Sequence, residues 1–98
     1  MKTAIDKVNF GKYLHDLRME HQLPLRAVAD KLGIDISLLS KIEHGERFVQ
    51  AHMLEKIAAV FNLDYRVLQI QFLTQRISEE YGEQPFWNDV IQELAKKS

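Results

Sequence analysis

The chain has 98 residues and no cysteine, and its thirteen Lys and Arg against fourteen Asp and Glu give a formal net charge of -1. That length predicts one domain, and the lack of cysteine excludes disulfide frameworks, thiolate zinc sites, iron–sulfur clusters and cysteine nucleophiles while fitting a reducing compartment. The charge balance removes basic composition as a sign of nucleic-acid binding, and the longest apolar run, Ile57 to Phe61, is far too short for a membrane span, so a soluble cytoplasmic protein is expected.

Apolar residues spaced three and four apart, punctuated by Gly and Pro, predict an all-α chain. Asn9 is read as the N-cap of a first helix that carries Phe10, Tyr13, Leu14 and Leu17 and continues to about His21. Leu23-Pro24 breaks that pattern, because Pro disfavours the helical region for the residue before it and suits the first turn of the next helix. A short second helix, Pro24 to Lys31, then buries Leu25 or Val28 with Ala29 and Leu32, and Gly33 stands where a left-handed cap needs no Cβ. Asp35 is the acidic N-cap of a third helix that runs to about His44, buries Leu39 and Ile42, and stops at Gly45. The loop Gly45 to Val49 leads to a fourth helix, Gln50 to Phe61, with Leu54, Ile57, Ala58 and Phe61 on one face. Asp64 caps a fifth from Tyr65 to about Tyr81; Gly82 ends it, and Pro85 opens a sixth.

The informative segment is Leu23 to Gly45: a short helix, a tight turn through Leu32-Gly33-Ile34-Asp35, and a second short helix. Two helices crossing steeply fit that spacing, which is helix-turn-helix geometry. An ordinary corner in a small bundle has the same spacing, so its use depends on what the second helix exposes.

From Phe10 to Leu63 the chain resembles the lambda Cro and repressor-like helix-turn-helix proteins, the xenobiotic-response-element family of bacterial regulators. The residues that carry the resemblance are Ala29, Leu32 and Gly33, then Ser40, Lys41, Ile42, Glu43 and Gly45, all in register, with LEKIAAVFNLD similar to the family's fourth helix. The resemblance implies a sequence-specific DNA-binding transcriptional regulator without enzymatic activity. Short relatives of this kind include phage repressors, antitoxins that repress their own operons, and controller proteins of restriction-modification systems. The chain departs from the family's pattern at Pro24 and Leu25, where a cap and a polar phosphate contact are usual, at His44 in place of Arg, and at Val49 in place of Pro.

With Leu39 and Ile42 inward, the third helix presents Ile36, Ser37, Ser40 and Lys41, with Leu38 and His44 at its edges. In a major groove Lys41 donates to guanine O6 and N7, Ser37 donates or accepts, and Ile36 packs on a thymine methyl. Two apolar side chains, Ile36 and Leu38, on an otherwise exposed helix start call for a partner surface. Phosphate contacts are expected from Arg26, from Arg47, and from Lys12 or Arg18, helped by backbone N–H groups at helix starts. Between residues 9 and 48, Lys12, Arg18, Arg26, Lys31, Lys41 and Arg47 are cancelled by Asp16, Glu20, Asp30, Asp35, Glu43 and Glu46, so the DNA-facing surface must be locally polarised. Glu43 fits a structural role, bonding near the Gly45 loop or pairing with Arg47 or Arg18.

No metal and no cofactor are expected, because His15, His21, His44 and His52 form no same-face helical pair. The serines, Ser37, Ser40, Ser78 and Ser98, lie in no Gly-x-Ser-x-Gly turn, and Glu79-Glu80 belongs to a solvated helix face.

Residues 1–63 thus form the DNA-binding core and residues 64–98 a helical extension within one compact unit. The extension carries more apolar side chains than one face of each helix hides: Val67, Ile70, Leu73 or Thr74, Ile77 and Tyr81 make one strip, and Leu68 and Phe72 another. A twofold homodimer is expected, with Leu68, Phe72, Trp87 and Ile91 at its interface, binding double-stranded DNA at a pseudo-palindromic operator as a repressor. The alternative is an antitoxin or adaptor whose C-terminal apolar surface binds another protein. No membrane partner is expected.

Overall fold

The computed structural model describes residues 7–97, with side chains from Phe10 to Lys97, and every element within them is helical. In chain order these are α1 (Lys7–Glu20), α2 (Leu25–Leu32), α3 (Ile36–Glu43), α4 (Leu54–Phe61), α5 (Tyr65–Tyr81) and α6 (Trp87–Lys97). Every helix expected from the apolar spacing is present. Two starts differ: α1 already runs through Asn9, which therefore is not its N-cap, and the fourth helix enters through a 3₁₀ turn, Ala51–Met53.

Local chemistry fixes the turns. At the end of α2, Gly33 adopts φ 72°, and its N–H bonds to Asp30 O at 3.1 Å while Ile34 N–H reaches back to Ala29 O at 3.0 Å. Six-to-one and five-to-two bonds of this kind satisfy the last carbonyls of a helix, and the left-handed residue they require is cheapest as Gly. The same closure ends α1 at Gln22, φ 54°, with Leu23 N–H on Arg18 O at 3.0 Å. A Gln there is not a recognisable stop signal. Asp64 caps α5 as expected, its carboxylate accepting from Val67 N–H at 3.1 Å. Asp35 occupies the N-cap of α3 with extended backbone, but its side chain makes no capping bond.

One core unites α1 to α5. Phe10, Leu14 and Leu17 of α1 meet Val28, Ala29 and Leu32 of α2, Leu39 and Ile42 of α3, and the inner face of α4. Each of the larger of these side chains contributes about 1.5–3 kcal/mol by leaving water. Helix α5 packs on α4 and also reaches α1, where the Phe72 and Phe10 rings meet edge to face with centroids 4.9 Å apart. Leu68 lies beside them, only 3% exposed. The expectation that Leu68 and Phe72 line a dimer interface is thereby corrected: both are spent on the protomer's own core. The other strip of α5, with Val67, Ile70, Ile77 and Tyr81, is the one left in solvent.

Helix α6 buries no side chain fully among the described residues. Phe86, Val90, Ile91 and Leu94 are exposed and Trp87 is half-buried. Pro85 lies in the turn before α6, and the first helical bond runs from Val90 N–H to Phe86 O.

Candidate nucleic-acid interface

The outward face of α3 is set by what its inward face grips. Leu39 and Ile42 are 1% and 2% exposed, and α1 crosses so closely over them that a Cβ on Gly11 would stand 2.1 Å from the Ile42 carbonyl oxygen. Helical spacing then places Ile36, Ser37 and Lys41 in solvent with Ser40 half-buried beside them, the residues expected to face a duplex. Leu38 is different. It packs against the core, so its apolar character has an internal reason and only Ile36 remains apolar and exposed at the helix start.

A second clamp holds α3 to α1. Arg18 Nε donates to Glu43 Oε2 at 2.8 Å and Nη2 to Oε1 at 3.0 Å, while Nη1 donates to Leu23 O at 3.1 Å. His15 Nδ1 lies 3.0 Å from Glu43 Oε1. Burial pushes the Glu43 carboxyl up, but hydrogen bonds and charge from Arg18 and His15 outweigh burial and hold it below its ordinary value. This decides two expectations. Glu43 is structural and its partner is Arg18; and Arg18, 13% exposed with its donors on Glu43 and Leu23, is not a free phosphate contact.

Two short helices in contact, α2 and α3, joined by Gly33-Ile34-Asp35, with Ser37 and Lys41 turned outward, suit a major-groove reader. Residues 9–68 match the family model described as a helix-turn-helix domain. The chain belongs to that family. It is a DNA-binding transcriptional regulator of the Cro and repressor kind. The ImmF control region 10 kDa protein of Bacillus phage phi105 is 32% identical over 78 residues, which span 80% of this chain and 84% of that protein. The crystal structure of the restriction-modification controller protein C.AhdI from Aeromonas hydrophila superposes with a TM-score of 0.58 at 32% identity, covering 64% of this chain and 91% of that one.

Around the helix-turn-helix, the remaining cations are placed unevenly. Arg26 is exposed in the first turn of α2, and Arg47 is exposed in the loop after α3. Lys12 is exposed on α1 and pairs with Asp16 at 3.0 Å, a solvent-facing i,i+4 contact worth at most a few tenths of a kcal/mol and easily exchanged. Lys12, His15, Ser40 and His44 line a cleft of about 360 Å³ whose floor includes Arg18, Leu25 and Glu43.

Sequence reasoning passed over two features here. His44, at the C-cap of α3, donates from Nδ1 to Ser40 O at 2.7 Å. Phe48, in the same loop as Arg47, lies under the Arg76 guanidinium, 3.6 Å from ring centroid to Cζ, and ties that loop to α5. Neither pairing had a local signal, since Phe48 and Arg76 are far apart in sequence and His44 differs from a solvated His only by its carbonyl contact.

Thr74, Ile77, Ser78, Trp87, Ile91 and Leu94 line an apolar groove of about 330 Å³ between α5 and α6. Trp87 and Ile91 thus share one surface, without Leu68 and Phe72. No described helix is long and apolar enough to cross a membrane.

Proposed function

We propose that this chain is a homodimeric repressor that reads a pseudo-palindromic operator, with α3 of each protomer in successive major grooves. The observation that carries the reading is the outward face of α3, where Ile36, Ser37 and Lys41 are exposed and Ser40 is half-buried, with Arg26 exposed at the start of α2 and Arg47 exposed in the loop after α3. Lys41 and Ser37 supply donors for base edges, Ile36 an apolar contact for a thymine methyl, and Arg26, Arg47 and Lys12 the phosphate contacts.

The α5–α6 surface supports the dimer. Ile77, Tyr81, Phe86, Val90, Ile91 and Leu94 are all more than two-fifths exposed, an apolar area that a monomer in water has reason to cover. A second copy covers it with a self-complementary patch and sets the two reading heads about one duplex turn, roughly 34 Å, apart. Bound there, the protein excludes other proteins from the same grooves, a non-catalytic action in the compartment that holds the DNA.

Selection from a pool of random duplexes, combined with the mass of the free protein by light scattering, tests this. A palindromic winner and a dimeric mass are expected. Enrichment of an asymmetric single site would remove the symmetric operator, and a monomer captured by a different protein through α5–α6 would establish the adaptor reading.

A further inference from the structure

We propose that the cleft between α1 and α3 is a proton-dependent phosphate seat, in which a duplex phosphate is held by Lys12 and by the protonated form of His44, with His15 behind it. The proposal rests on α3 facing the duplex, as above. His44 stands one turn beyond Ser40 and Lys41 on the same helix, so the cleft opens beside the band assigned to base contact.

Charge makes the imidazoles decisive. Facing the cleft from α1 are Lys12, paired with Asp16 at 3.0 Å, then His15 and Arg18; from α3 come Glu43 and His44; α2 contributes only the apolar Leu25 to the lining. Lys12 is cancelled by Asp16 and Arg18 by Glu43, so with neutral imidazoles the fixed charges sum to nothing and offer a phosphate little attraction. Protonation of His44 and His15 alone makes the cleft cationic.

The hydrogen bonds dictate which ring nitrogen meets the phosphate. Ser40 O only accepts, so the contact at 2.7 Å places the proton of neutral His44 on Nδ1. Its Nε2 then carries a lone pair, which repels phosphate oxygen, and becomes a donor only when the ring takes a second proton. At His15, Nδ1 lies 3.0 Å from Glu43 Oε1 and 3.3 Å from Arg18 Nη2, so an acceptor and a donor both stand at that nitrogen. Phosphate binding is therefore coupled to proton uptake. Affinity for DNA then rises as the pH falls.

The test is anisotropy of a labelled mixed-sequence duplex at low salt, repeated with any selected operator, from about pH 8 down to about pH 6, above the range in which carboxylates protonate. The native chain is expected to gain affinity, with a limit of about tenfold per pH unit for each proton taken up. His44→Gln keeps a donor for Ser40 O and should lose most of that slope; His44→Arg should bind at pH 8 nearly as tightly as the native chain does at pH 6, keeping only the small slope that His15 supplies. A flat native profile, or a slope unchanged in His44→Gln and in the His15→Gln/His44→Gln pair, overturns the seat while leaving the DNA-reading face intact. A native chain that binds no duplex at any pH overturns both.

Discussion

Arg18 and Glu43 join α1 to the recognition helix through a two-pronged ion pair, 2.8 and 3.0 Å, in which the carboxylate is 5% exposed. Removing one partner leaves the other largely buried without its counter-charge. Glu43→Ala should therefore cost about 3 kcal/mol of folding stability, read as a shift of the urea midpoint, and Arg18→Met/Glu43→Leu should recover much of it. Since the Glu43 carboxyl sits below its ordinary value when folded, its contribution is present above the ordinary glutamate value and is lost as pH falls through the folded one. Glu43→Gln should accordingly show a shallower loss of stability with acid than the native chain.

Gly11 is where the two helix backbones come closest. A Cβ there would meet Ile42 O at 2.1 Å and Glu43 O at 3.1 Å, both main-chain atoms that cannot swing aside. Gly11→Ala gains helix propensity in an isolated peptide but should destabilise the protein by about 1–3 kcal/mol or more, because α1 and α3 must separate. A raised urea midpoint would mean that the close crossing is not maintained in solution.

Lys41 and Arg47 should differ in kind. Lys41→Ala is expected to cost about 1–3 kcal/mol on the selected operator and to relax preference at one base pair of each half-site. Arg47→Ala should weaken binding to all sequences alike and lower the salt slope by about one unit. Binding profiles across single-base operator variants, repeated at several salt concentrations, separate the two; exchanged signatures would reverse the assigned roles.

For the α5–α6 surface, Ile91→Asp should give a monomer by light scattering with little change in helical content, since Ile91 is 45% exposed in the protomer. Phe72→Ala should instead unfold the protomer more easily, by about 3–5 kcal/mol, because its ring is packed on Phe10. If Ile91→Asp left the mass dimeric, the self-association surface would have to be elsewhere.

What was legible in the sequence is what local chemistry decides. Gly33 and Asp64 mark their helix ends, and Leu39 with Ile42 identify the inward side of α3, because each signal lies within a turn or two of the feature it controls. Periodicity also revealed two apolar strips on α5. It could not say which one faced inward: that was decided by a contact between Phe10 and Phe72, sixty-two positions apart in the chain. The role of Arg18, read both as a phosphate contact and as a partner of Glu43, stayed open for the same reason. An exposed-looking Arg on an amphipathic helix is a phosphate contact or an internal strut depending on a carboxylate 25 residues away. Leu38 looked like an unexplained apolar residue until the fold placed it against the core.

Helix α6 contributes no fully buried side chain to the protomer. If the proposed dimer holds, recognition of a half-site and the distance between half-sites would then be separate inheritable traits. Changes on the outward face of α3 would retarget the sequence, whereas changes in α6 would re-space it, and each would drift without forcing the other to follow.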